Sequence, residues 1–326
     1  MPANLPPQYF EAERRLRTAK DPEEKIEALQ AMLAIMPKHK GTDRLHGGLR
    51  RKIAKLSEEA ERKYATARRA GFSIRREGAG QVMLVGPANA GKSQLLAAVT
   101  EASPEIAPYQ FTTKTPIPGM MKFEDIHIQL VDTPPIGHRN VRMLLGNSLR
   151  GADLIAIVVD LATGPIIQVV ATLEALAEAR IEPSVRGTRE SATESYCREM
   201  LIIGNKSDSG NANHNLRQLT KQYANLFRIV SISAKEKSGL EELKRAIFEA
   251  LDILRVYTKA PGTRADLSQP VILKRGSTIG DAAAAIHKDF KKELKYALLW
   301  GSGKYNGQSV SKSHVLQDRD VVEFHV

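Results

Sequence analysis

The chain is 326 residues long, 35.9 kDa, which leaves room for two or three domains and a sizeable core. Hydrophobic residues at 42% and charged residues at 26% fit a soluble chain, and no apolar run reaches the roughly 18 residues that span a bilayer, so no membrane association is expected. The formal net charge of +11 points toward a polyanionic partner. The N-terminal stretch Met1-Pro2-Ala3-Asn4-Leu5-Pro6-Pro7 lacks the charged and apolar regions of a signal peptide. The single Cys197 excludes an internal disulfide or a cysteine-cluster metal site, so a cytoplasmic protein is expected.

Residues 1–77 are expected to form a basic helical hairpin. Asp21 can cap a helix starting at Pro22, with Glu24 completing a capping box, and Ile26, Leu29, Leu33 and Met36 recur at helical spacing. Pro37 to Gly41 ends that element, and Leu45, Leu49, Ile53 and Leu56 mark the second helix. Residues 1–80 hold 18 Lys plus Arg against 11 Asp plus Glu, a balance of +7. The groups Arg50, Arg51, Lys52, Lys55 and Arg62, Lys63, Arg68, Arg69 are the candidates for phosphate contact, which makes ribosomal or other RNA the expected partner.

Residues 78–255 alternate strand and helix in the manner of a parallel sheet, with strands at 81–85, 126–131, 154–159, 200–203 and 228–232 and a polar surface loop between Ile181 and Arg198. The first strand runs into Gly86-Pro87-Ala88-Asn89-Ala90-Gly91-Lys92-Ser93, the phosphate-cradling pattern G-x-x-x-x-G-K-[ST], and Gln94 onward reads as helix. Backbone N–H groups there can turn onto phosphates, Lys92 can reach the β- and γ-phosphates, and the Ser93 hydroxyl can ligate Mg²⁺. Asp132, ending the second strand, would stand near that ion. Asn205-Lys206-Ser207-Asp208 is an N-K-x-D pattern, in which the Asp208 carboxylate can accept from guanine N1–H and the 2-amino group, donors that adenine lacks. Ser233-Ala234-Lys235 comes after the last strand, where a backbone N–H would meet the guanine oxygen. Four motifs in this order, each at a strand's C-terminal end, indicate a guanine-nucleotide-binding domain. Gly86, Asn89, Ala90, Gly91, Lys92, Ser93 and Gln94 are its expected phosphate-side contacts.

Residues 256–268, with Pro261 and Gly262, are expected to be a linker. Residues 269–326 should form a small third domain: a strand at Val271–Lys274, a helix capped by Thr278, and strands at Leu298–Trp300 and Val321–Val326, a β-grasp arrangement. This segment holds 9 Lys plus Arg against 6 Asp plus Glu from residue 268 on, so it is also basic.

Tyr109-Gln110-Phe111-Thr112-Thr113-Lys114-Thr115-Pro116, with Pro118-Gly119, resembles the switch I signature of the Obg/DRG GTPases. Ile253 to Lys259 is similar to the DRG junction with the TGS domain, and Ile286-His287-Lys288-Asp289-Phe290, Leu294 to Ala297 and Val315 to Val322 resemble DRG-type TGS sequence. The resemblance covers nearly the whole chain, although only a short loop at 182–198 stands where DRG proteins carry an inserted domain. It implies a Ras-like α/β P-loop core with an N-terminal helical part and a C-terminal β-grasp TGS domain, GTP hydrolysis to GDP, and association with ribosomes or translation factors. It also implies that Thr113, rather than Thr112, ligates Mg²⁺ and senses the γ-phosphate, that Asp132 holds Mg²⁺ through water, and that Lys92 neutralises charge on the β–γ bridge.

Two positions depart from the family pattern. Its D-x-x-G becomes Asp132-Thr133-Pro134-Pro135, and Pro135 has no N–H to offer the γ-phosphate unless Gly137 takes over. Ile136 stands where Ras-like proteins place a water-orienting Gln. Slow intrinsic hydrolysis, stimulated by a protein or ribosomal partner, is therefore expected; the alternative is a hydrolysis-deficient, nucleotide-gated binding module. Asn89 leaves two readings open, a K⁺-holding residue beside the phosphates or a turn residue that tolerates a tight backbone.

Overall fold

A computed structural model describes residues 7–18, 22–36, 46–56, 74–100, 116–136, 139–184, 196–287 and 289–325. The chain divides into a unit of residues 1–71 and a unit of residues 72–326.

The first unit contains α1 (Pro7–Thr18), α2 (Pro22–Ile35) and α3, helical over 46–56. Tyr9, Leu29, Met32, Met36 and Leu49 form its core, and Leu33, Ile53 and Leu56 pack half-buried against it. The expected hairpin thus corresponds to α2 and α3, and α1 is an additional helix. It escaped the spacing argument because Tyr9 and Leu16 are its main core-facing apolar side chains, too sparse a stripe to stand out. The Asp21 cap, its Glu24 partner side chain and the basic residues from Arg62 to Arg69 lie outside the described residues. Arg50, Arg51, Lys52 and Lys55 are exposed on α3.

The second unit begins ahead of residue 78, a correction to the expected boundary. Gln129 Nε2 donates to the Arg75 carbonyl at 3.1 Å and Arg76 pairs with Asp153, so this stretch is tied to the sheet. That sheet comprises β1 (Gln81–Val85), β2 (Ile117–Phe123), β3 (Ile126–Asp132), β4 (Leu154–Asp160), β5 (Ile181–Pro183), β6 (Tyr196–Asn205) and β7 (Arg228–Ser231). The order is β2-β3-β1-β4-β6, with β5 and β7 both pairing β6; every pair is parallel except β2 with β3. β2 and β5 are additional to the expected strands.

Alternation along each strand divides the core in two. Val82, Leu84, Leu130 and Val158 pack with α4 (Lys92–Val99) and α8 (Leu240–Ala250) on one face. Met83, Val85, Ile155 and Ile157 pack on the other face with α5 (Arg139–Gly151), α6 (Pro165–Glu178) and α7 (Ala212–Tyr223). A parallel sheet covered on both faces has uninterrupted apolar strands, as here, and its loops emerge together at the strands' C-terminal ends.

A second, five-stranded sheet has the order β11-β10-β12-β8-β9, from β8 (Ile253–Thr258), β9 (Asp266–Lys274), β10 (Tyr296–Trp300), β11 (Gln308–Val310) and β12 (Asp320–His325). β8 runs parallel to β12, and α9 (Ile279–Ile286) packs on this sheet through Ile279, Ala282 and Ala283. This is a β-grasp arrangement. Thr278 caps α9 in a reciprocal box with Asp281, as its position ahead of an apolar run predicts. The expected linker at 256–268 needs correction at both ends: 253–258 is an internal strand of this sheet, held by backbone pairing to both β9 and β12, and β9 already begins at Asp266. Trp300 is half-buried beneath the Lys259 ammonium, 4.1 Å from its ring centre.

Candidate nucleotide site

The loop after β1 is built from backbone that few residues can adopt. Gly86 has φ 149°, Asn89 62° and Gly91 88°. A Cβ on Gly86 would stand 2.2 Å from the Val158 carbonyl oxygen, and one on Gly91 2.2 Å from Asn205 Nδ2, so both positions require glycine. Ala90 is buried, whereas Asn89, Ser93 and Gln94 are exposed at the loop and the first turn of α4.

Lys92 opens α4 and is buried. Its Nζ donates to the carbonyls of Gly86 at 3.1 Å and Pro87 at 2.8 Å. Burial depresses its pKa to about 8, with the charge of Asp132 opposing the shift.

Asp132 ends β3 in register with Leu84 of β1. Its Oδ2 accepts from Ser93 Oγ at 2.5 Å, and its Oδ1 is buried without a hydrogen-bond partner among the described residues. Burial raises its pKa, against the Ser93 hydrogen bond and the Lys92 charge. A buried carboxylate oxygen without a donor, next to an exposed serine hydroxyl, is an oxygen set suited to a hard divalent cation such as Mg²⁺.

The second cluster lies at the ends of β6 and β7. Asn205, buried at 1% exposure, donates from Nδ2 to the Ala90 carbonyl at 2.9 Å. Its Oδ1 accepts from the N–H of Ala234 at 3.1 Å and of Lys206 at 2.8 Å. One side chain therefore fixes the phosphate loop against the turn Ser233-Ala234-Lys235. Asp208 is exposed, and its Oδ1 accepts from Ser233 Oγ at 2.6 Å. That hydrogen bond lowers its pKa.

Lys206 Nζ lies 2.6 Å from Oδ2 of Asp160, the last residue of β4. Sequence reasoning missed Asp160, although it carries the same signal as Asp132, an aspartate directly after a buried apolar run. Thr112 and Thr113, and Gly137, lie outside the described residues. Pro135 is half-buried, and Ile136, at 2% exposure, is buried in the apolar cluster of Met83, Val85 and Val131.

A phosphate loop and an N-K-x-D turn converging on one edge of a doubly covered sheet define the class, a P-loop guanine-nucleotide-binding domain. Residues 81–190 match the family described as 50S ribosome-binding GTPase, and residues 254–326 match the TGS domain. The chain is 28% identical to an uncharacterized GTP-binding protein of Methanocaldococcus jannaschii, an alignment that covers 92% of each chain. It is 26% identical to developmentally-regulated GTP-binding protein 2 of Homo sapiens, covering 92% of this chain and 98% of that protein. A GTP binding protein from Pyrococcus horikoshii OT3 shares the fold over 75% of this chain and 99% of its own, with a TM-score of 0.52 and 16% identity. The chain thus carries a GTPase domain followed by a C-terminal TGS domain, and over 92% of its length it is similar to proteins named developmentally-regulated GTP-binding proteins.

The lowered pKa of Lys92 has a measurable consequence. A buried ammonium costs stability while charged, so the nucleotide-free protein gains from this group as pH rises from about 8 toward the unfolded value near 10.4. Phosphate oxygens placed beside Lys92 would favour its charged form, so nucleotide binding there would take up a proton wherever free Lys92 is neutral. Affinity for GDP is therefore expected to weaken between pH 8 and 10, approaching about tenfold per unit. Titration calorimetry at pH 9 in two buffers of different ionisation enthalpy reads the uptake; a heat independent of buffer contradicts it.

Proposed function

We propose that the protein binds GTP, hydrolyses it slowly to GDP and phosphate, and docks on ribosomes or RNA. The observation that carries the nucleotide half is Asn205, whose hydrogen bonds to Ala90 and Ala234 hold phosphate loop and guanine turn in one frame. Asp208, Lys206 and the Ala234 N–H would read the base. Ser93 and Asp132 would hold Mg²⁺, with Thr113 as the expected switch ligand; the ion would neutralise phosphate charge. Lys92 would stabilise charge developing on the β–γ bridge, so its contribution is positioning and electrostatics.

Among the described residues, Pro135 and Ile136 offer no guide for an attacking water. Pro135 carries no N–H and Ile136 is committed to the core. This supports a slow intrinsic rate with stimulation by a partner. The same two residues favour the second reading, a nucleotide-gated binder without useful turnover. Docking on a polyanion is supported by the exposed Arg50, Arg51, Lys52 and Lys55 on α3 and by the ribosome-binding description of the matching family.

The test is GTP hydrolysis by the purified protein in K⁺ and in Na⁺, each with and without ribosomes. Turnover that rises with ribosomes supports the cycling enzyme. Tight GTP binding with no turnover in any condition supports the gated binder. A rate above about 1 per second without partners contradicts both, given that unaided Ras-type sites run near 10⁻⁴ per second. Asn89→Ala in the same assay decides the K⁺ reading: it should abolish any preference for K⁺ over Na⁺, and survival of that preference makes Asn89 a turn residue.

A further inference from the structure

β8 stands between two cores. Ile253 belongs to the apolar cluster under the nucleotide-site sheet, and Leu254 and Val256 belong to the cluster of the C-terminal sheet. Strand alternation puts Arg255 and Tyr257 on the Ile253 side. There Arg255, at 3% side-chain exposure, meets three carboxylates. It donates to Asp318 from Nε at 3.1 Å and Nη2 at 2.7 Å, to Asp125 from Nη1 at 2.6 Å, and to Glu124 from the same nitrogen. The Tyr257 hydroxyl donates to Asp125 Oδ2 at 2.5 Å. The guanidinium also stands 4.9 Å from the ring centre of Phe248, which stacks on Phe123 at 5.1 Å.

Glu124 and Asp125 are the turn of the β2–β3 hairpin. Its ladder runs from Phe123 opposite Ile126 at the turn to Ile117 opposite Asp132 at the other end. The far end therefore carries the carboxylate that meets Ser93, about 20 Å from the turn at the usual strand rise. β2 is the outermost strand in the sheet order, its ladder formed with β3 and a single further bridge joining Met121 to Thr100, and it leads back toward Thr113 in sequence. The hairpin is thus gripped at its turn by residues of the C-terminal domain.

We propose that Arg255 is a positioning residue of the nucleotide site: by clamping the Glu124–Asp125 turn to the C-terminal sheet it sets the placement of the hairpin, and so couples the identity of the bound nucleotide to docking of that sheet. This rests on the GTP/GDP reading above. The device depends on charge. Burial acts against the Arg255 guanidinium, and the hydrogen bonds to Asp318, Glu124 and Asp125 outweigh it, so the pKa lies above its ordinary value and the charge persists. Coupling of this kind is reciprocal: whatever the clamp adds to discrimination between GTP and GDP, the nucleotide returns to the clamp.

The test uses the full chain. Arg255→Met alone leaves carboxylates without their partner and can fail to fold, so it is paired with the neutral set Arg255→Met, Arg319→Gln, Glu124→Gln, Asp125→Asn and Asp318→Asn, which also takes out Arg319, the second donor to Glu124 at 2.6 Å. Affinities are measured for GDP and for a non-hydrolysable GTP analogue with Mg²⁺, and amide hydrogen exchange is followed in β8 and at residues 122–126. In the unaltered protein, exchange at both places should differ between the two nucleotide states. In the neutral set the ratio of the two affinities should change at least about fivefold, the lower end of usual coupling, and the exchange difference in β8 should disappear. An unchanged ratio in the folded neutral set, or identical β8 exchange in both states of the unaltered protein, overturns the clamp while leaving the nucleotide site intact. If the unaltered protein binds neither nucleotide, the site reading falls and takes the clamp with it.

Discussion

Replacing Asp208 with asparagine is expected to weaken GDP binding about a thousandfold and to create affinity for xanthosine diphosphate. Guanine offers two adjacent donors, N1–H and the 2-amino group, and an ionised carboxylate accepts from both. The exposed carboxylate is ionised at neutral pH, and the Ser233 hydrogen bond lowers its pKa further. An asparagine amide presents one acceptor and one donor, so its NH₂ would confront the 2-amino group. Sites built to pair a substrate group reject the unmatched analogue by factors of 10⁴ or more, and one mismatched group of two gives the smaller figure used here. Xanthine has a carbonyl in place of the 2-amino group and matches the amide on both atoms. Titration of the variant with GDP, xanthosine diphosphate and ADP reads the exchange. Undiminished GDP affinity would show that Asp208 does not face the base.

Much of the site was legible because doubly buried parallel strands read as unbroken apolar runs, and the polar residue that ends each run belongs to the loop edge where ligands bind. Asp132, Asn205 and Asp208 were placed by that logic, and Asp160 was available to it. What stayed hidden was non-local or chemically contradictory. β2 contains Pro118 and Gly119, which argue against a strand, yet an edge position tolerates the proline. A Cβ at Gly119 would meet Leu96 Cδ1 at 2.8 Å, so the close approach of α4 accounts for the glycine. β5 is only three residues and ends in Pro183. β8 read as the end of one domain because its partner β12 lies far along the chain, at the C-terminus. Arg255 in that strand had no local sign of its role, since a lone arginine is ordinarily solvated and its carboxylates come from two distant segments.

Lys92→Met should abolish the response to nucleotide without unfolding the protein. In the free protein the Lys92 ammonium is buried against two carbonyls and carries a depressed pKa, so its charge at pH 7 opposes folding. Methionine keeps the buried stem and removes that charge, and the melting temperature of the nucleotide-free variant should stay close to that of the unaltered protein. With nucleotide the balance reverses, because the ammonium supplies charge-assisted hydrogen bonds to phosphate worth about 1.5–3 kcal/mol each. Two such bonds correspond to a loss of affinity of a hundredfold or more for GTP, and a smaller one for GDP, which lacks the γ-phosphate. With a non-hydrolysable GTP analogue at one hundred times its Kd, the unaltered protein gains about 2.7 kcal/mol, a melting shift of roughly 5–10 °C for a unit of this size. The variant should show little shift at that concentration, and no buffer-dependent heat at pH 9. A full shift in the variant would remove Lys92 from the phosphate site; a lost shift with proton uptake intact would assign the titrating group to another residue.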